Sequence, residues 1–179
     1  MQYNPIYTYK QLDRQDGGAQ GRVYVDEQGH KMPSVTTILS ATKDKTHLDT
    51  WRKRIGEGNA KRITEESAGL GTTMHAHLEA YVLGQERPGG TNYGRVMAKK
   101  MADTIIAEGL IHVDEVWGVE AHLHYHNLWA GTTDLVGQWQ GRPAIIDFKT
   151  TIKPKKREWV EDYRMQLAAY AMSHNLIYG

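Results

Sequence analysis

Two aspartates and a lysine carry the densest chemistry in the chain. Asp134 stands in the run Gly131-Thr-Thr-Asp134-Leu-Val-Gly, and Asp147 and Lys149 stand in Ala144-Ile-Ile-Asp147-Phe-Lys149-Thr-Thr. Both runs read as β-strands joined by a short turn. Asp134 is therefore expected to approach Asp147 across the ladder, with Asp147 and Lys149 on one strand face and Phe148 on the other. Two converging carboxylates repel unless a cation sits between them, which makes a divalent metal the natural occupant. A lysine ~6–7 Å along the strand can orient an attacking water and offset charge on a phosphate. Asp-x-Lys alone is a common exposed pattern that makes a surface ion pair. The apolar Ala144-Ile-Ile lead-in shifts the balance, because a carboxylate emerging from buried strand is costly to place.

The composition bounds the rest. The chain has 179 residues, 40% hydrophobic and 24% charged, as expected of one folded domain with a core. It has no cysteine, which excludes disulfides and thiolate zinc sites. Any metal must then be held by His, Asp, Glu, carbonyl or water, a donor set that suits Mg²⁺ or Mn²⁺. No apolar run is long enough to span a bilayer, and the N-terminus lacks a signal-peptide pattern, so a cytoplasmic location is expected. The net charge of +1 gives no global attraction to nucleic acid, so any such partner must meet local basic clusters.

The elements that must position these residues fall in a definite order. Residues 1–46 read as an N-terminal arm with short strands: a loose stretch over about the first twenty residues, a strand pair around Arg22–Val25 with a turn at Gly29, and Ser34 as an N-cap candidate. From His47 to about Gly109 the apolar spacing is helical, with breaks expected around Gly56 and Gly58, at Gly69 and Gly71, and across Gln85–Asn92. VWGVEAHLHY, TTDLVGQW and PAIIDFKTT then predict a three-stranded antiparallel meander, with NLWAG and QGRP as the turns. A helix follows from about Glu158 to Ser173. Its Tyr163, Gln166 and Tyr170 form one stripe, and Leu167, Ala168 and Ala169 offer a small-residue surface for packing on the sheet.

Taken together, G-T-x-D, D-x-K-T and Y-x-x-Q-L-x-x-Y in this order resemble the PD-(D/E)xK nuclease superfamily, most closely its RecB-like branch, which includes mitochondrial and phage exonucleases. The resemblance covers roughly Gly71 to Tyr170 and lacks the Pro of the name before Asp134. It implies an α/β (α+β) restriction-endonuclease-like core, a three-stranded antiparallel meander flanked by helices, with an N-terminal helical elaboration; residues 47–179 would hold the helical layer and this core. It also implies a Mg²⁺- or Mn²⁺-dependent deoxyribonuclease acting on DNA, with roles of the kind served in repair, recombination or phage replication. By position, His75 in Gly71-Thr-Thr-Met-His75, Asp134 and Asp147 resemble the metal ligands, with the Phe148 carbonyl as a further oxygen. Lys149 resembles the catalytic lysine, Gln166 and Tyr170 the residues of the motif helix, and Glu120 the acidic residue of the first core strand. Glu79 lies one turn beyond His75 on the same helix face.

Other clusters fit a nucleic-acid partner. Lys153, Lys155, Lys156 and Arg157 follow the Asp-x-Lys strand and suit phosphate contacts. Trp51 and Arg52, in Trp51-Arg-Lys-Arg, pair an aromatic with basic residues as single-strand channels do. His122, His124 and His126 alternate on one strand; a polar or DNA-facing rim is the simpler reading than a zinc site. A helical layer over the sheet would favour threading of a free DNA end, hence exonuclease action. The alternatives are a structure-specific endonuclease and a DNA-binding protein that does not cut.

Overall fold

A computed structural model describes residues 1–18, 21–151 and 155–179; the side chain of Glu158 and the whole of Lys153 lie outside the described residues. The described chain is a mixed α/β fold of two compact units. Residues 1–42, 112–147 and 151–179 form the first, and residues 43–111 and 148–150 the second.

The first unit is built on a long hairpin. Strands β5 (Val113–Tyr125) and β6 (Trp129–Trp139) run antiparallel, and β7 (Arg142–Ile146) adds to the far side of β6. The meander expected from the alternating runs is thus present. Its turns are shorter than the sequence implied, because Trp129, Ala130 and Gly131 pair within β6 and Arg142 and Pro143 pair within β7. Gln140 and Gly141, with φ of 47° and 76°, alone close the second hairpin, the left-handed pair that matches strand twist.

The first twenty residues depart from the loose arm read from the sequence. β1 (Gln2–Tyr3) adds in parallel to β5, giving the order β1-β5-β6-β7. β2 (Asp13–Gly17), β3 (Gly21–Val25) and β4 (Lys31–Pro33) form a second, antiparallel sheet. β2 escapes detection because all five of its residues are exposed, which leaves no apolar alternation to read.

Side chains join these layers. Leu12, Tyr24, Met32 and Ala130 make one buried cluster, and the Tyr24 hydroxyl meets Thr132 Oγ1 at 2.9 Å. Ser34 caps α1 (Val35–Thr42) by accepting the Thr37 N–H at 3.0 Å, as its position implied. Val35, Leu123 and Tyr170 form a second cluster, which draws α1 and the C-terminal helix α5 (Glu161–Tyr178) onto the sheet. A 3-10 turn over Arg157–Val160 leads into α5, which starts later and runs further than the sequence suggested.

The second unit holds α2 (Thr46–Ile55), α3 (Glu57–Val82) and α4 (Tyr93–Glu108). The expected breaks appear at Gly56, whose φ is 83°, and over the residues between α3 and α4. Gly69 and Gly71 do not break α3. Each glycine costs a helix about 1 kcal/mol, whereas fully burying a side chain such as Met74 or Leu78 returns about 2–3 kcal/mol. Those two residues are 0% and 1% exposed, so burial wins and the helix runs through. Their stripe matches Ala98 and Ala102 on α4, which Asn92 caps at the Arg95 N–H. Asp103 pairs with both Arg87 and Lys99 at 2.7 Å, tying the inter-helix loop to α4. Among the described residues, no helix is long and apolar enough to cross a membrane.

Two histidines of the first unit, His122 half-buried and His174 buried, are held in hydrogen bonds. His122 Nδ1 accepts the Leu12 N–H at 2.8 Å, and His174 Nε2 lies 3.1 Å from the Tyr9 hydroxyl. Burial holds both below the ordinary histidine value. As pH falls through about 6.5 the unfolded chain protonates first, so stability is full above that value and is lost towards the lower folded values. We predict that the urea midpoint falls between pH 7 and pH 5, and falls less in the double variant His122→Gln/His174→Gln. An equal fall in both proteins would assign the acid sensitivity to other groups.

Candidate active site

The hairpin of β5 and β6 sets two carboxylates side by side. Glu120 and Asp134 fall between the paired positions Val119↔Leu135 and Ala121↔Thr133, and a carboxylate oxygen of one lies within 4.8 Å of one on the other. Asp134 is buried and Glu120 half-buried. Glu120 has a φ of 47°, a left-handed conformation that side-chain-bearing residues adopt at a cost of about 1–3 kcal/mol. It also interrupts the alternation of β5: Val116 and Gly118 are buried before it, Ala121 and Leu123 after it, so the buried parity slips by one residue. The strand spends conformational energy to aim this carboxylate.

The residues around Asp134 each hold something in place. Thr133, fully buried, donates from Oγ1 to the Ile146 carbonyl at 3.1 Å and fixes the end of β7. Thr132 meets Tyr24, as above. Gly131 leaves room for Tyr170: a Cβ there would lie 2.7 Å from the Tyr170 hydroxyl oxygen, inside contact distance. Sequence reasoning singled out Asp134 and missed the work of Gly131 and Thr133, although both stand in the G-T-x-D block.

β7 ends at Ile146, which pairs with Leu135, so Asp147 lies one residue past the last rung. This corrects the reading of Asp-Phe-Lys as strand: residues 147–151 have no regular structure, and strand alternation does not govern how Asp147 and Lys149 are related. Asp147 is oriented from α5 instead. Gln166 Nε2 donates to Asp147 Oδ1 at 3.0 Å and to the Tyr170 hydroxyl at 3.2 Å. Burial, then the nearby Asp147, Tyr24 and Asp134, push the Tyr170 phenol well above its usual range, outweighing the Gln166 hydrogen bond. Tyr170 therefore remains a neutral hydroxyl at physiological pH.

The helix stripe includes the predicted residues, with Gln166 and Tyr170 buried and Tyr163 half-buried, but it continues through Ser173 and His174. Of the small-residue surface, Ala168 is exposed, whereas Leu167 and Ala169 are half-buried and Ala169 packs against the Val35, Leu123 and Tyr170 cluster. His75 lies on α3, half-buried, with its ring 6.3 Å edge-on to the Phe148 ring. Glu79 is exposed on the same helix. Lys149 is exposed. Lys155, Lys156 and Arg157 are exposed beside the 3-10 turn, and Trp51 and Arg52 are half-buried on α2. His122 is committed to the Leu12 backbone and His124 Nδ1 to the His126 carbonyl at 3.0 Å.

Within the first unit, Glu120 and Asp134 are a carboxylate pair that could take part in holding a metal ion. The fit rests on donor chemistry: close, partly desolvated carboxylate oxygens favour a cation between them, and oxygen donors suit hard divalent ions.

No family model matches the chain. By sequence it is similar to mitochondrial genome maintenance exonuclease 1 of Homo sapiens, at 28% identity over 171 residues covering 85% of this chain and 47% of that protein. The Mus musculus protein of the same name is 28% identical over 164 residues, with the same shares covered. The Xenopus tropicalis protein is 26% identical over 198 aligned positions, covering 98% of this chain and 54% of that protein. The chain thus spans about half the length of the curated relatives it matches.

Backbone strain at Glu120 gives a direct test. In an ordinary strand glycine is less stable than alanine; at a φ of 47° the order reverses. We predict that Glu120→Gly is more stable than Glu120→Ala by about 1 kcal/mol in urea unfolding, since the left-handed conformation costs an L-residue about that much. The opposite order would show that Glu120 is not held left-handed in solution. We also predict that Gly131→Ala destabilises by about 1–3 kcal/mol, the usual cost of overpacking, and that Gly131→Ala combined with Tyr170→Ala recovers part of it. Additive losses would place the clash elsewhere.

Proposed function

We propose that this protein is a metal-dependent DNA exonuclease. The observation that carries the reading is the Glu120–Asp134 carboxylate pair, held within 4.8 Å at a conformationally strained position. Such a pair is unfavourable for stability and useful for a divalent ion. Asp147, oriented by Gln166, stands next in sequence to the strand paired with β6. The similarity to three proteins named as genome maintenance exonucleases supports the same reading.

In this proposal Glu120, Asp134 and Asp147 of the first unit hold Mg²⁺ or Mn²⁺, and the sequence pattern alone adds His75 and the Phe148 carbonyl as ligands. The ion supplies Lewis-acid stabilisation of the negative charge that develops on a phosphodiester. Lys149 orients the attacking water and offsets charge on the phosphate. Gln166 keeps Asp147 in one orientation, and the neutral Tyr170 hydroxyl accepts the amide's second hydrogen, so the amide cannot rotate without losing both bonds. Lys155, Lys156 and Arg157 contact the DNA backbone, and Trp51 with Arg52 forms a second contact area. The substrate is single-stranded DNA or a DNA end, and the leaving 3′-oxygen gives products with 5′-phosphates.

Cleavage is expected to require Mg²⁺ or Mn²⁺ and to stop in EDTA. Asp134→Asn, Asp147→Asn and Lys149→Ala should each abolish turnover while far-ultraviolet circular dichroism stays unchanged. Normal turnover in any of them would remove that residue from the mechanism. With Mg²⁺, a linear single-stranded oligonucleotide should be degraded and its circular counterpart of identical sequence should resist. Equal rates on both would turn the assignment to an endonuclease, and no cleavage of either would overturn the nuclease reading.

A further inference from the structure

An indole is left in solvent beside the basic run. Trp159, in the 3-10 turn that leads into α5, is 58% exposed. Lys156 Nζ sits 5.4 Å from its ring centroid. Lys155 Nζ lies 4.6 Å from the ring centroid of Tyr163, one turn into α5, and also donates to the Tyr163 hydroxyl. Two lysines and two aromatics therefore fall within nine residues, each cation held against a ring. Among the described residues, Trp159 belongs to neither of the two buried clusters given above. With a lysine over the ring and more than half of the residue exposed, Trp159 keeps surface that a planar ligand can meet.

We propose that Trp159 is a stacking platform for a nucleobase of a single strand whose phosphates are held by Lys155, Lys156 and Arg157. The inference rests on the nuclease reading above and names a residue that fixes the strand. Single-strand sites combine these two parts, a cationic track for the backbone and aromatic faces for the bases. The position is suited to the task. Trp159 precedes Gln166 by seven residues, about 10–12 Å along the helix axis, and Gln166 holds Asp147. A base stacked on Trp159 would anchor the strand a short distance from the phosphodiester that meets the carboxylates. Glu161 and Asp162 open α5, where acidic side chains favour the helix N-terminus.

The test compares Trp159→Ala and Trp159→Phe with the wild type. The probes are a fluorescein-labelled linear single-stranded deoxyoligonucleotide, bound in EDTA, and the same length of backbone with abasic sites throughout. Stacking is worth enough that Trp159→Ala should weaken binding of the normal strand by about tenfold or more. Trp159→Phe should recover most of that loss, and the salt slope should stay unchanged because no phosphate contact is removed. On the abasic strand wild type and Trp159→Ala should bind alike. In cleavage with Mg²⁺, Trp159→Ala should raise KM with little change in kcat. Binding of the normal strand within twofold of wild type, or an equal deficit on the abasic strand, would overturn the platform. Either result in a protein that still cuts DNA would leave the nuclease reading standing, whereas a wild type that cuts neither strand fails on the nuclease reading itself.

Discussion

Electrostatic repulsion between two carboxylates on neighbouring strands is the constraint around which the first unit is arranged. Within 4.8 Å, two bare carboxylate charges at the effective dielectric of a protein surface repel by about 3 kcal/mol before their other contacts are counted. The left-handed turn of Glu120 adds a further cost of about 1–3 kcal/mol. Against a typical folding stability of about 5–15 kcal/mol these are large terms. They persist because the backbone on either side gives neither residue an alternative. Val119↔Leu135 and Ala121↔Thr133 pair directly on both sides, and β1 and β7 flank the hairpin. Paired rungs on both sides can hold a strained residue that a lone hairpin would release.

The helix that completes the site is built the reverse of an ordinary amphipathic helix. The face of α5 turned inward carries Gln166, Tyr170, Ser173 and His174, whereas Met165, Met172, Leu176 and Ile177 are exposed. Buried polar groups are costly unless matched, and each of these is matched. Gln166 serves Asp147 and Tyr170, Ser173 accepts from the Trp129 indole at 3.2 Å and donates to the Ala169 carbonyl, and His174 meets Tyr9. Trading apolar for polar contacts at this interface gives up burial energy and gains fixed directions, which is what orienting a carboxylate requires. Gly131 belongs to the same trade, since only a residue without Cβ lets Tyr170 approach β6.

Much of this was legible in the sequence. The order of helices, three-stranded meander and helix follows from periodicity, and the Ser34 cap and the Gly56 break follow from local chemistry. Glu120 was weighed as the looser carboxylate, yet it pairs with Asp134 because the register of β5 and β6 brings together residues separated by a hairpin. Register is set by turn length, and the turn at His126–Leu128 is shorter than composition implied. The exposed strand β2 and the unbroken course of α3 were hidden for opposite reasons. One has no apolar signal, and the other has burial strong enough to override its glycines. On α5 the polar Gln166, Ser173 and His174 share the inward face with Tyr170 and Ala169, which an apolar pattern does not mark.

The end of β7 shows why the Asp-x-Lys spacing is not the geometric rule it first seems. Had β7 continued, alternation would tie Asp147 and Lys149 to one face and leave nothing for neighbouring elements to adjust. Instead pairing stops at Ile146, where Thr133 takes the carbonyl and terminates the strand. From there the two residues are positioned by separate means. Asp147 belongs with the sheet and answers to Gln166, while Phe148–Thr150 belong with the helical unit, where Phe148 meets His75 and Thr150 Oγ1 lies 3.6 Å from the point a Cβ on Gly71 would occupy. A motif of four residues is thus held by two sets of contacts. The spacing in the sequence reflects that division, with Phe148 as the anchor that lets an acidic and a basic residue be oriented independently.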